Sequence, residues 1–260
     1  MSVLHHQCIG EGEDLVVVHG LFGSGDNWRG LAKRWSQHYR VWSLDLRNHG
    51  RSFHAPGMSY IELADDLHQW MINLGLQKAH WLGHSMGGKA VMELALSHPQ
   101  CVDHLFIADI APTAYAHEHD AIIAGLQLLE RQGPWSSRQE ADQVLSAKVN
   151  NVSIRQFLLT NLTRSSEGLV LRLGLQYIID GYDDIVAAPP ALSRQPAFEG
   201  PTLVLRGENS DYIQPQHYTL FETHFPQCQW VTLKAGHWLH AEQPDAFAQA
   251  VEHALSENAA

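Results

Sequence analysis

The sequence predicts an α/β protein: a mainly parallel sheet flanked by helices, with a helical cap inserted into it. Short apolar runs rich in β-branched residues recur along the chain, each closing on a turn signal, and helical patterns fill the gaps between them. One stretch, residues 113–196, carries helical patterns and no strand pattern. Strands alternating with helices favour parallel pairing, because the crossover helices then cover both faces of the sheet. At 260 residues the chain can hold one such domain with an insertion.

Residues 3–9 form a weak pattern suited to an edge strand. Residues 14–19 (DLVVVH) read as a buried strand ending at Gly20, and residues 40–45 (RVWSLD) as a second, before the turn-rich segment 47–52. Residues 79–82 end at Gly83, and residues 104–108 (HLFIA) end at Asp109 with Pro112 close behind. Residues 202–206 (TLVLR) and 229–233 (QWVTL) are two more. Residues 61–74 have helical spacing with Gly75 as a C-terminal stop, and residues 86–96 form a small apolar helix before Pro99. Residues 215–225 and 244–255 each open on a proline, which suits a first helical turn. In the insertion, residues 121–130, 138–149, 154–162 and 169–179 read as helices, and Pro189, Pro190 and Pro196 mark the return to the core. The expected division is a core of residues 1–112 and 197–260 and a cap of residues 113–196.

Composition narrows the function. A hydrophobic content of 45% and a charged content of 17% describe an ordinary globular protein. A formal net charge of −11 excludes nucleic acid and anionic membranes as expected partners, since both need clustered Lys and Arg. The run Leu15-Val16-Val17-Val18 is too short to span a bilayer, and the first ten residues have no basic, then apolar, secretory pattern. Cys8, Cys101 and Cys228 are odd in number and show no paired spacing, which suits free thiols and a cytoplasmic location. Among the 18 histidines, His117-Glu118-His119 is the tightest cluster. It lacks the i, i+4 spacing that sets two imidazoles on one helical face, so no metal site is expected, and most histidines are expected at the surface.

Chemistry concentrates at Gly83-His84-Ser85-Met86-Gly87, a G-x-S-x-G pattern with a strand before it and a helix after it. A serine on so sharp a turn needs glycine two residues to either side, where side chains would collide. Its hydroxyl is a weak nucleophile and needs a base. His237, in Lys234-Ala235-Gly236-His237-Trp238 after the last strand, fits the chain order serine, acid, histidine, ahead of His240, His84 and His19. The amide of Met86 and one from the loop His19–Gly25, Leu21 first and Phe22 as the alternative, would hold the developing oxyanion. For the acid there are two candidates, Asp109 after its strand and Asp211 after the penultimate strand. The usual pattern puts the carboxylate three residues after the glycine, where Ser210 stands, with Asp211 one step late. Asp109 is preferred, with Ser210 bridging by a hydrogen bond.

His19-Gly20-Leu21-Phe22-Gly23-Ser24, Asp45-Leu46-Arg47-Asn48-His49-Gly50-Arg51-Ser52, Gly83-His84-Ser85-Met86-Gly87-Gly88, Asp109-Ile110-Ala111-Pro112, Arg206-Gly207-Glu208-Asn209-Ser210 and Gly236-His237-Trp238 occur in this order. Together they resemble the bacterial YbfF-type esterases, a branch of the α/β-hydrolase superfamily with a mitochondrial relative. The likeness covers nearly the whole chain and is weakest in the cap. The resemblance implies an α/β-hydrolase fold and hydrolysis of short-chain acyl esters, with acyl-CoA thioesters as a further class. It implies no cofactor, and a serine at Ser210 that assists the aspartate at Asp109. The chain departs from the branch in carrying Asp211 directly after Ser210, which keeps the second acid position open. Trp135, Phe157 and Tyr177 are the cap aromatics expected over the acyl chain. Three alternatives share the scaffold: a cofactor-free haloperoxidase, a C–C bond hydrolase, and a ligand-binding protein that retains hydrolase residues. The oligomeric state has no signature in the sequence.

Overall fold

The apolar runs of the N-terminal half become strands in a computed structural model that describes residues 3–257. In chain order these are β1 (His6–Ile9), β2 (Glu13–Val18), β3 (Tyr39–Leu44), β4 (Ala79–His84) and β5 (Val102–Ala108). Helices α1 (Arg29–Trp35), α2 (Tyr60–Leu74) and α3 (Met86–Ser97) lie between them. Helix α2 starts on a reciprocal cap between Ser59 and Glu62 and stops at Gly75, whose φ of 70° lies in the left-handed region. Helix α1 has no counterpart among the expected elements; it is seven residues long, contains Gly30 and follows the glycine-rich loop through one 3-10 turn, Gly25–Trp28.

After β5 the chain leaves the sheet for α4 (Asp120–Gln132), α5 (Arg138–Ser146), α6 (Val152–Leu159), β6 (Leu162–Arg164), β7 (Leu169–Leu171), α7 (Leu175–Asp180) and α8 (Tyr182–Val186). It returns through β8 (Thr202–Gly207), α9 (Tyr218–His224), β9 (Cys228–Leu233), α10 (Leu239–Glu242) and α11 (Pro244–Glu257). Among the described residues, seven strands form one sheet in the order β1-β3-β2-β4-β5-β8-β9. All neighbours are parallel except the edge strand β1, which runs antiparallel to β3.

The insertion corrects one expectation. Residues 162–171, read as the end of one helix and the start of another, form an antiparallel hairpin instead. Gly168, at φ 142°, closes the turn, and Ser165 N–H donates to Gly168 O at 2.7 Å. The helical spacing of 169–179 therefore begins only after Gly174.

Alternation along each strand splits the core. Val16 and Val18 face one side with α2 and α3, including Leu63, Leu67, Trp70 and Val91. Leu15 and Val17 face the other with α1 and α11, including Trp35, Phe247 and Val251. Each such large side chain, fully buried, stabilises the fold by about 1.5–3 kcal/mol. The two helical layers leave the C-terminal ends of β2, β4, β5, β8 and β9 as one rim, where ligands bind in open α/β sheets. Among the described residues no helix is long and apolar enough to cross a membrane.

Candidate active site

Ser85 sits between β4 and α3 with φ 54° and ψ −122°, a backbone conformation that L-residues rarely adopt. Its N–H donates to Ala108 O at 3.0 Å, and its carbonyl accepts the first bond of α3 from Lys89 N–H at 3.1 Å. The flanking glycines are sterically required. A Cβ on Gly83 would lie 2.2 Å from Gly87 O, and one on Gly87 would lie 2.4 Å from His19 O. The turn thus presses against β2 on one side and holds the serine side chain at the rim on the other.

His237 follows β9, and its imidazole joins two partners. Its Nε2 lies 3.0 Å from Ser85 Oγ and its Nδ1 lies 2.8 Å from Asp109 Oδ2. A carboxylate only accepts, so Nδ1 carries the hydrogen and Nε2 is left to accept from the serine hydroxyl. Asp109 is fully buried at the end of β5 with φ 51°. Gly207 N–H donates to its Oδ1 at 2.9 Å, and Ser210 Oγ–H donates to Oδ2. The buried charge is therefore hydrogen-bonded on both oxygens, as burial demands. The ring of Tyr212 stacks on that of His237 with centroids 4.0 Å apart, and His84 Nε2 donates to His237 O at 2.8 Å.

Asp211, the second candidate acid, does not join this cluster. It is exposed, and its carboxylate accepts from Gln214 Nε2 at 3.2 Å. Ser210 turns inward in its place, and the next residue in the loop faces solvent.

The loop after β2 packs against the nucleophile turn: a Cβ on Gly20 would lie 3.1 Å from Ser85 Cβ. Gly23 N–H donates to Gly20 O at 3.0 Å and closes a turn with Phe22 at φ 60°. A side chain in that region costs about 1–2 kcal/mol, so the turn must be held from outside. Two histidines do so. His19 Nδ1 donates to Gly20 O at 2.7 Å, while its Nε2 accepts from Leu46 N–H at 3.0 Å. His49 Nδ1 donates to Arg47 O at 2.9 Å, while its Nε2 accepts from Phe22 N–H at 3.1 Å. The Phe22 amide is thereby engaged, whereas the Leu21 amide donates to no described group. Met86 opens α3, and its amide lies ahead of the first intrahelical bond.

The segment 45–52 is the scaffold of this loop, a role its turn-like composition did not disclose. Asp45 is buried and accepts from Gly25 N–H at 2.7 Å and Arg51 N–H at 2.8 Å. Its polar residues serve the backbone of another loop. The histidines as a group correct a further expectation, since only His38, His54, His117 and His253 are exposed. Burial lowers the pKa of His19 and His84 and brings those of His49 and His240 to about 3, so all four stay neutral at the rim. Lys89 is also buried. Burial brings its amine to about 7, and Nζ donates to Val186 O at 3.2 Å and Ala187 O at 2.7 Å.

Two cavities meet at Ser85. The larger, about 370 Å³, is lined by His237, Trp238, His240 and Trp28 from the core and by Ile122, Ile154, Phe157 and Leu158 from the insertion. The smaller, about 40 Å³, is lined by Met86, Ile110, Ile185, Val186, Tyr212 and Lys89 among others. Of the three cap aromatics expected over a substrate, Phe157 alone lines either of these two cavities. Trp135 is buried in the insertion, with Nε1 donating to Leu129 O at 3.0 Å, and Tyr177 is exposed on α7.

The family model described as the alpha/beta hydrolase fold matches residues 15–244. The chain is 41% identical to the sn-1-specific diacylglycerol lipase ABHD11 of Mus musculus, over 93% of this chain and 80% of that one. It is 35% identical to the esterase YbfF of Escherichia coli (strain K12), over 94% of this chain and 93% of that one. A solved structure of a marine microorganism esterase superposes with a TM-score of 0.91 at 37% identity, covering 97% of this chain and 99% of that one. The chain belongs to the α/β-hydrolase family, and it is a serine ester hydrolase resembling the YbfF-type esterases.

Proposed function

We propose that the protein hydrolyses short-chain carboxylic esters through an acyl-enzyme on Ser85, with His237 as general base and Asp109 as the acid that orients it. The observation that carries this reading is the continuous path from Ser85 Oγ to His237 Nε2 at 3.0 Å and from His237 Nδ1 to Asp109 at 2.8 Å. The serine oxygen attacks the ester carbonyl while its proton passes to Nε2, and the carbonyl π electrons move onto oxygen. The Leu21 and Met86 amides stabilise that oxyanion. Collapse breaks the bond to the alkoxy oxygen, which takes the proton from Nε2 and leaves as the alcohol. Water, giving a proton to the same nitrogen, then releases the carboxylic acid and restores Ser85. Ser210 fixes the second lone pair of the Asp109 oxygen that faces the imidazole.

The two cavities support a division of the substrate between them. The leaving oxygen must reach His237 Nε2, so the alcohol belongs in the large chamber that His237 lines. The acyl group belongs in the recess of about 40 Å³, which His237 does not line and which holds only a few heavy atoms. A thioester leaving group follows the same path, with the acyl-CoA sulfur in place of the alkoxy oxygen.

The test is a panel of nitrophenyl esters of rising acyl length, with matched acyl-CoAs and fluorophosphonate labelling. The expected result is best turnover on the shortest acyl groups, label on Ser85, and no turnover by Ser85→Ala. Folded wild type that leaves Ser85 unlabelled, or turnover that persists in Ser85→Ala, overturns the reading.

A further inference from the structure

We infer that Asn161, a residue of the inserted segment, is a positioning residue for the oxyanion hole, so that the insertion sets the geometry of the loop that stabilises the transition state. The inference rests on the proposed role of the Leu21 amide and goes beyond it.

Three successive peptide planes of the loop are held by hydrogen bonds. The Gly20–Leu21 plane is fixed through Gly20 O, which accepts from Gly23 N–H at 3.0 Å and His19 Nδ1 at 2.7 Å. In a trans peptide the Leu21 N–H then points the opposite way. The Leu21–Phe22 plane is fixed through Phe22 N–H on His49 Nε2 at 3.1 Å. The Phe22–Gly23 plane is fixed through Phe22 O, which accepts from Asn161 Nδ2 at 2.7 Å. The first two planes are held from within the core. The third is held twice: within the loop, through Gly23 N–H on Gly20 O, and across 139 positions of sequence by the insertion, through Phe22 O.

Asn161 is built to hold still. It is 1% exposed and lies between α6 and β6. Its N–H donates to Leu158 O at 3.1 Å, its carbonyl accepts from Arg172 N–H at 3.0 Å, and Nδ2 also donates to Leu158 O at 3.2 Å. Phe22 stands at φ 60°, where loss of an outside bond lets the backbone relax to negative φ and turns the neighbouring amides. The α6 residues Ile154, Phe157 and Leu158 line the large chamber, so the element that contacts the alcohol also ends in the bond that fixes the loop.

Asn161→Leu keeps the shape and removes the donor. Removing an indirect support of one oxyanion donor should lower kcat on nitrophenyl acetate by about 10- to 100-fold with KM changed less than about twofold. The inhibition constant of a trifluoromethyl ketone analogue of the acetate should rise by the same factor as kcat/KM falls, because the analogue requires the oxyanion donors and the ground-state ester does not. A loss confined to KM, or an analogue constant that stays put while kcat falls, overturns the inference, since a purely structural role would act so. Should Asn161→Leu fail to melt cooperatively, Asn161→Asp decides. Its protonated carboxyl donates to Phe22 O and its ionised form repels it, so its kcat relative to wild type should rise as pH falls; a flat ratio overturns the proposal. Ser85→Ala run in parallel separates the two readings: turnover in that variant removes both, whereas its loss beside an unaltered Asn161→Leu removes only the second.

Discussion

On one side of Ser85 stand a carboxylate, an imidazole and a hydroxyl, each carried by a loop at the end of a sheet strand. On the other stand backbone amides, held by neutral histidines after β2 and β3 and by one asparagine from the insertion. In the proposed mechanism the first side handles a proton and needs a buried charge with every oxygen engaged, while the second side meets a developing charge with fixed backbone dipoles. On that reading charge handling is rooted in the sheet, and charge stabilisation in loops that the insertion can reach.

The largest expected effect touches both sides. Ser85→Ala should lower kcat by about 10⁵-fold or more in a nitrophenyl ester assay, leaving the fold intact by circular dichroism. Asp109→Asn attacks the sheet side alone: it keeps the shape, offers the imidazole the wrong partner, and should cost about 10³- to 10⁴-fold in kcat with little change in KM. A variant that retains more than a tenth of wild-type kcat would show that His237 is oriented without the carboxylate.

The loop side carries a pH signature. His49 on that side, and His240 on α10 near His237, are held to a pKa of about 3 by burial, against about 6.5 in an unfolded chain. The unfolded state therefore binds protons first as pH falls, and stability is lost below about pH 6.5, by up to ~1.4 kcal/mol per pH unit for each histidine. Urea melts at pH 7.5, 6.5 and 5.5 should show a midpoint that falls below 6.5, in a window above the carboxylates' own titration. A midpoint constant across that range contradicts the neutral, buried state of these rings. A smaller effect sharpens the division of the cavities: Val186→Ala widens the recess and should shift the ratio of butyrate to acetate turnover upward by about tenfold, a methylene being worth roughly that much in an apolar pocket. Smallest of all, Asp211→Asn should change kcat by less than about twofold, as surface substitutions do; a large loss would move the acid to the exposed loop.

The sheet was readable in the chain because buried parallel strands are continuous apolar runs, and DLVVVH and HLFIA have few other uses. The nucleophile turn was readable because its glycines answer to contacts below 2.5 Å that no side chain could survive. The choice between Asp109 and Asp211 was readable only as a preference for Asp109, because adjacent residues of a loop face opposite ways and no periodicity says which turns inward. The hairpin 162–171 escaped since strands of three residues carry too little pattern. His49 and Asn161 escaped for a different reason: a polar residue in a turn looks solvated until the distant backbone group it serves is known.

The pairing of β5 with β8 has a consequence for how the molecule is made. Leu105–Ala108 find their partners at Thr202–Leu205, and the whole inserted segment must be synthesised between them. At about 5–20 residues per second the free edge of this apolar strand waits roughly 5–20 s on the ribosome. Such an edge is a template for the wrong neighbour. Chains truncated after residue 196 should precipitate where the full chain stays in the supernatant, and a soluble, monomeric truncation would show that the nascent insertion shields the edge by itself.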